Sequence, residues 1–132
     1  MLVMFLLNFK MIKAKLKPVL PSLREKKRYL VFELVSKEKI RDINMVSNAI
    51  LHCSQRFLGQ LGAAKAGIMV LNNMWNPELQ RGVIKVGHRH ADALKAALAL
   101  ANKIDGKDII FRSVGVSGIL RKAENNYLRA AT

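Results

Sequence analysis

The strongest constraint on this chain is the order in which strand-like and helix-like apolar patterns follow one another. Residues 29–35 (YLVFELV) are rich in β-branched and aromatic side chains and predict a strand with a period of two. Between about residues 43 and 61, apolar side chains recur every three or four positions, which predicts an amphipathic helix with Gly62 as a left-handed cap. Two short apolar runs, residues 67–73 and 81–87, are separated by turn-forming residues and predict a hairpin.

A second helix and a fourth strand complete the pattern. Residues 91–104 are rich in alanine, carry a leucine and alanine stripe, and end before Gly106, which predicts a helix. Residues 108–116 predict the last strand. Beyond it, Ser117 is a suitable N-cap for a short basic helix from about residue 118 to 129.

The element order is therefore strand, helix, strand, strand, helix, strand. It predicts an α+β fold, a ferredoxin-like (RRM-like) βαββαβ sandwich in which two helices cover one face of a four-stranded antiparallel sheet. The other sheet face should be available to a ligand. A chain of 132 residues fits one domain, and we assign residues 1–28 to an apolar start and basic N-terminal arm, and 29–132 to the domain with its C-terminal helix. The fold alone decides no function.

Charge narrows the choice of partner. Lys and Arg number 23 against 9 Asp and Glu, a formal net charge of +14, which favours a polyanion such as RNA. Residues 1–28 hold half of this excess, and Pro18 and Pro21 argue against a continuous helix there. We expect an arm that is extended when free and becomes ordered on a phosphate backbone.

Membrane insertion and secretion are not expected. The apolar run at residues 1–9 is shorter than the ~20 residues of a spanning helix, and positive charge follows it rather than preceding it. The single cysteine, Cys53, cannot form an internal disulfide, which points to a reducing compartment and a cytoplasmic protein.

No catalytic or metal-binding constellation stands out. His88 and His90 have no third ligand at a convincing spacing, and Cys53 lies on the apolar stripe of its helix, which favours core packing. The strand at residues 81–86 (RGVIKV) opens like an RNA-recognition motif but lacks both aromatic residues of that motif. RNA binding should therefore rely on Lys and Arg contacts to phosphate rather than on base stacking.

Two glycine-bearing segments carry further information. Residues 58–65 (LGQLGAAK) end the first helix with small residues and leave Lys65 free to reach outward. Residues 115–118 (GVSG) join the last strand to the terminal helix, where exposed amides could hold a phosphate. The alternative interpretation of each segment is a tight turn and a helix cap.

Together, residues 22–29 (SLREKKRY), 58–66 (LGQLGAAKA) and 115–118 (GVSG) resemble the archaeal and eukaryotic ribonuclease P component 2 family, with matching order and spacing from about residue 21 to 129. The resemblance implies a subunit of the ribonucleoprotein that removes the 5′ leader of precursor tRNA. In that family the RNA is the catalyst and uses Mg²⁺, so the resemblance implies no cofactor on the protein. It also implies pairing with protein component 3, with two copies of each in a heterotetramer.

The expected contacts follow from the basic motifs and the apolar hairpin. The predicted RNA-binding residues are the arm cations, the lysine after the first helix and two cations of the last helix: Arg24, Lys26, Lys27, Arg28, Lys65, Arg121 and Lys122. The predicted protein-interface residues, with ordinary core packing as the alternative, are Met69, Leu71, Met74 and Trp75.

Two other functions remain open from the sequence. One is a free-standing basic RNA-binding protein, for example a ribosome-associated factor. The other is an enzyme resembling acylphosphatases, which needs a glycine-bearing phosphate loop after the first strand. Residues 36–39 (SKEK) contain no glycine, which disfavours the enzyme.

Overall fold

A computed structural model describes residues 26–128. Five strands form one antiparallel sheet in the order β2-β3-β1-β5-β4. The strands are β1 (Lys27–Ser36), β2 (Met69–Val70), β3 (Arg81–Gly87), β4 (Lys103–Ile104) and β5 (Lys107–Ser117). The helices are α1 (Ile43–Ala66), α2 (Ala91–Leu100) and α3 (Leu120–Ala123), and a single π-helical turn (Glu124–Leu128) follows α3.

The main core lies between one sheet face and the two long helices. Alternation along β1 places Leu30, Phe32 and Leu34 on this face, each at most 3% exposed. Val46 and Ile50 of α1 pack against them, together with the buried leucines of α2. The predicted strand period and the amphipathic character of both helices are confirmed.

The sheet has five strands, so the prediction of four is wrong. The helix predicted over residues 91–104 ends at Leu100, and the chain then forms the short β4. Asp105 and Gly106 have φ of 50° and 75°, and they connect β4 to β5 in a two-residue turn. Asp-Gly is a strong hairpin signal because both turn positions require positive φ.

Helix α1 also ends differently from the prediction. Its N-terminus is capped by Asp42, whose carboxylate accepts a 2.9 Å hydrogen bond from the Asn44 amide. Gly59 interrupts the helix with φ 75° and ψ 167°, and the left-handed cap is Gly67, with φ 63°. Gly62 is therefore not the cap.

The second sheet face is partly covered. Val31 and Val83 are fully buried there beneath Ala123 of α3 and Leu128 of the π-helical turn. The prediction of a freely available sheet face is wrong over this area, because the terminal segment folds back onto it.

The terminal segment is also less regular than predicted. It forms only α3 and the π-helical turn, and Arg129 lies outside the described residues. The N-cap position of α3 is Ile119 rather than Ser117. The Ser117 hydroxyl instead accepts a 3.2 Å hydrogen bond from the Ile119 amide.

No helix in the described part of the chain combines the length and apolar composition of a membrane span. The apolar run at residues 1–9 lies outside that part.

Candidate nucleic-acid interface

The first residues of β1 lie where several segments of the chain meet. β1 starts at Lys27, so Lys27 and Arg28 are strand residues rather than part of the arm. The Lys26 carbonyl accepts a 2.8 Å hydrogen bond from the His88 amide, which ties the entry of β1 to the end of β3. The Lys27 Nζ lies 3.1 Å from the point where a Cβ on Gly67 would stand. The Lys27 ammonium therefore sits beside the C-terminus of α1, whose last turn carries the exposed Lys65.

Arg28 connects the start of β1 to the C-terminal segment. Its Nη1 lies 3.0 Å from the position a Cβ on Gly118 would occupy. Arg121 and Lys122 follow three and four residues later on α3, and both are exposed. The absence of a side chain at Gly118 thus makes room for the guanidinium beside the entry to α3. Arg24 lies outside the described residues.

Gly115 does not form a phosphate-binding loop, a turn or a cap. It is a residue of β5 and pairs with Val31 of β1. A Cβ at Gly115 would lie 2.5 Å from the Tyr127 ring, so the glycine allows that ring to pack directly on the strand. At Gly115, neither the phosphate-binding loop nor the alternative of a tight turn and cap is formed, and the reason for the glycine is packing.

The cations of the domain divide into paired and unpaired groups. Within residues 26–128, carboxylates pair with Lys39, Arg41, Arg81, Lys95, Lys107 and Arg112. None of the described residues predicted to bind RNA has a carboxylate partner in that range; they are Lys26, Lys27, Arg28, Lys65, Arg121 and Lys122. Their charge is not neutralised within the described domain, which suits them to bind phosphate.

The four predicted protein-interface residues differ in exposure. Met69 on the edge strand β2 is 56% exposed. Leu71 and Met74 are half-buried and pack against the buried residues on the second sheet face. The Trp75 ring stacks on Phe32 at 6.0 Å between ring centres, and its indole nitrogen donates a 3.3 Å hydrogen bond to the Arg41 carbonyl. Only Met69 of this set therefore presents most of its side chain to solvent.

A buried arginine that sequence reasoning missed connects the sheet to the C-terminal turn. The Arg81 side chain is only 4% exposed; its Nε donates to Glu33 at 2.9 Å and its Nη1 donates to the Tyr127 carbonyl at 2.8 Å. Arg112 binds the other Glu33 oxygen at 3.0 Å. The available signal was an arginine at the start of a strand that is apolar apart from Lys85.

Cys53 has no feature of a nucleophile. Its thiol is buried and contacts the Ile50 carbonyl at 3.3 Å. Burial raises the pKa of the Cys53 thiol, which favours the protonated, unreactive form. Within residues 26–128, no three His, Cys, Asp or Glu side chains come together in a group that could hold a metal.

The sequence profile of the Rpp14/Pop5 family matches residues 28–128. The chain belongs to this family. The match runs from the second residue of β1 to the end of the π-helical turn and therefore covers all but the first two of the described residues. Arg28, Lys65, Arg121 and Lys122 lie inside the matched range, whereas Arg24, Lys26 and Lys27 precede it.

Several Rpp14/Pop5 relatives are named Ribonuclease P protein component 2. The one from Thermococcus gammatolerans is 36% identical over 108 residues, covering 82% of this chain and 88% of the relative. Those from Pyrococcus abyssi and Methanosarcina acetivorans are 33% and 35% identical and cover 86% and 89% of this chain, and 94% and 85% of the relatives. A chain in the cryo-EM structure of yeast ribonuclease MRP shares the fold, with a TM-score of 0.57 at 14% identity over 74% of this chain and 78% of that chain.

Proposed function

We propose that this protein is a non-catalytic RNA-binding subunit of ribonuclease P, which supports the catalytic domain of the RNA during removal of the 5′ leader from precursor tRNA. Relatives that align over more than four-fifths of the chain are named as ribonuclease P components. The structural observation that carries the proposal is the set of cations around the start of β1 that have no carboxylate partner in the described domain.

These cations act on the RNA through its phosphates. A folded RNA brings phosphates close together where it forms its metal-bearing centre, and the repulsion between them opposes that fold. Lys and Arg side chains lower the repulsion and release condensed counterions as they bind. Lys27 and Arg28 are held by the first residues of a strand, next to Gly67 and Gly118, so this part of the cationic surface is positioned before RNA arrives.

The assembly we propose contains protein component 3, with two copies of each protein, and the RNA rather than the protein holds the catalytic Mg²⁺. The exposed Met69 on edge strand β2 is our proposed centre of the protein interface. We place the particle in the cytoplasm, in keeping with a lone buried cysteine. We also assign the domain as a ferredoxin-like βαββαβ unit to which the β4–β5 turn adds a fifth strand.

Reconstitution tests the proposal directly. Ribonuclease P RNA cleaves labelled precursor tRNA at a limiting Mg²⁺ concentration, alone or with this chain and its partner subunit. We expect the two proteins together to increase leader removal at limiting Mg²⁺, and the partner subunit alone to give less. If adding this chain changes neither the rate nor the Mg²⁺ requirement, the proposal fails, and a free-standing RNA-binding protein becomes the better account.

A further inference from the structure

A cleft lies at the edge of the sheet opposite β2. It is separate from the cations around the start of β1, and the proposed function does not account for it. It has a volume of about 380 Å³ and lies between α1 on one side and the segment from the end of α2 to β4 on the other. Ala49, Cys53 and Ala101 contribute its small apolar side chains. A cavity of this size falls in the range of sites that hold small organic groups.

The polar side chains of the cleft are basic or neutral. His52 and Arg56 come from α1, and Asn102 and Lys103 from the opposite wall. Neither Arg56 nor Lys103 has a carboxylate partner within residues 26–128, and no Asp or Glu lines the cleft. Asp105 lines only the neighbouring, more open groove. The cleft is therefore complementary to an anion.

The cleft also presents an aromatic side chain. Phe57 lines it and is 47% exposed, although most aromatic side chains of a small domain are used in its core. Leu100, which is 64% exposed, lines the cleft as well and adds an apolar surface for the base. An aromatic ring beside unpaired cations is the arrangement on which proteins stack an unpaired base and hold its phosphate. An apolar protein segment fits less well, because it would remove Arg56 and Lys103 from water without pairing their charges.

We propose that this cleft binds an unpaired nucleotide of single-stranded RNA, with the base on Phe57 and the phosphate between Arg56 and Lys103. Asn102 provides an amide that can bind a base edge. The inference rests on the proposed function and deepens it. The cations around the start of β1 bind phosphate without regard to base, whereas the cleft adds a second site that is specific for unpaired RNA. An acidic segment of a protein partner is the alternative occupant.

The test measures the affinity of the full chain for a labelled oligouridine and for an RNA duplex of equal length. Phe57→Leu keeps an apolar side chain but removes the ring, and we expect it to weaken oligouridine binding at least about fivefold while duplex binding changes little. Phe57→Tyr retains the ring and should retain the affinity. Because Phe57 is half-exposed, these variants should fold, which thermal unfolding checks.

A charge-matched pair of variants tests the phosphate contact. Arg56→Ala with Lys103→Ala should weaken oligouridine binding more than Lys95→Ala with Lys107→Ala, because Lys95 and Lys107 already have carboxylate partners. Unchanged oligouridine binding by Phe57→Leu would overturn the inference, as would equal loss for oligouridine and duplex. If the cleft variants lose binding to the partner subunit but still bind both RNAs, the inference is wrong and the cleft is a protein-binding site. Binding of the wild-type chain to ribonuclease P RNA is measured alongside. If the wild type binds this RNA, a negative result for the cleft overturns only the inference; if it does not bind, the proposed function fails as well.

Discussion

At the scale of single residues, Arg81 shows how one buried charge fixes the C-terminal segment to the sheet. Its guanidinium bonds both Glu33 on β1 and the Tyr127 carbonyl in the π-helical turn. That turn covers Val31 and Val83, so Arg81 helps to determine which part of the second sheet face is closed. The sequence shows the arginine but not its partners, since Glu33 and Tyr127 are 48 and 46 residues away.

Replacing Arg81 by Met tests this role. We expect a loss of about 3 kcal/mol in the free energy of unfolding, at the low end for breaking a buried pair, because Glu33 keeps Arg112 as a partner. Arg112→Met is the matched control. Arg112 is 58% exposed, and its removal should cost less than ~1 kcal/mol. Urea unfolding measures both variants, and equal losses would contradict the central position given to Arg81.

At the scale of elements, local patterns predicted the strands and helices better than their ends. Alternation along β1 and the apolar stripe of α1 depend on neighbouring residues and could be read directly. The end of α2 could not be predicted, because the apolar spacing of a helix continues through Ile104, whereas the helix ends at Leu100 and β4 follows. Coverage of Val31 by the C-terminal turn was also missed, since it depends on contacts between residues distant in the sequence.

The two glycines near the end of α1 make a testable pair. Gly59 has φ 75° and ψ 167°, a conformation essentially restricted to glycine, so Gly59→Ala should cost about 1–3 kcal/mol from backbone strain. Gly62 lies within the helix and does not have positive φ. Gly62→Ala should change stability by less than ~1 kcal/mol, because the gain in helix propensity is offset by a 3.2 Å contact with Leu58 Cβ. Thermal unfolding compares the two, and a larger loss for Gly62→Ala would contradict this description of α1.

At the scale of the whole molecule, the net charge is +14, and carboxylates neutralise only some of the cations of the described domain. Carboxylates neutralise cations such as Lys39 and Arg41, which share Glu78, and their hydrogen bonds to it lower the pKa of the Glu78 carboxyl. The cations at the start of β1 remain without such partners in the described domain. The basic run at residues 24–28 could be recognised in the sequence, but the proximity of Lys27 to Gly67 and of Arg28 to Gly118 could not, because tertiary packing creates it.

The salt dependence of binding to ribonuclease P RNA tests the central claim most directly. A variant with Lys26, Lys27 and Arg28 replaced by Ala is compared with one carrying Ala at Lys39, Arg41 and Lys107, which loses the same charge from paired positions. We expect the first variant to bind more weakly and its slope of log K against log salt to be shallower by about 2–3, because about three phosphate contacts are lost. The second should keep nearly the wild-type slope. Equal slopes for the two variants would contradict the claim that the start of β1 binds the RNA backbone.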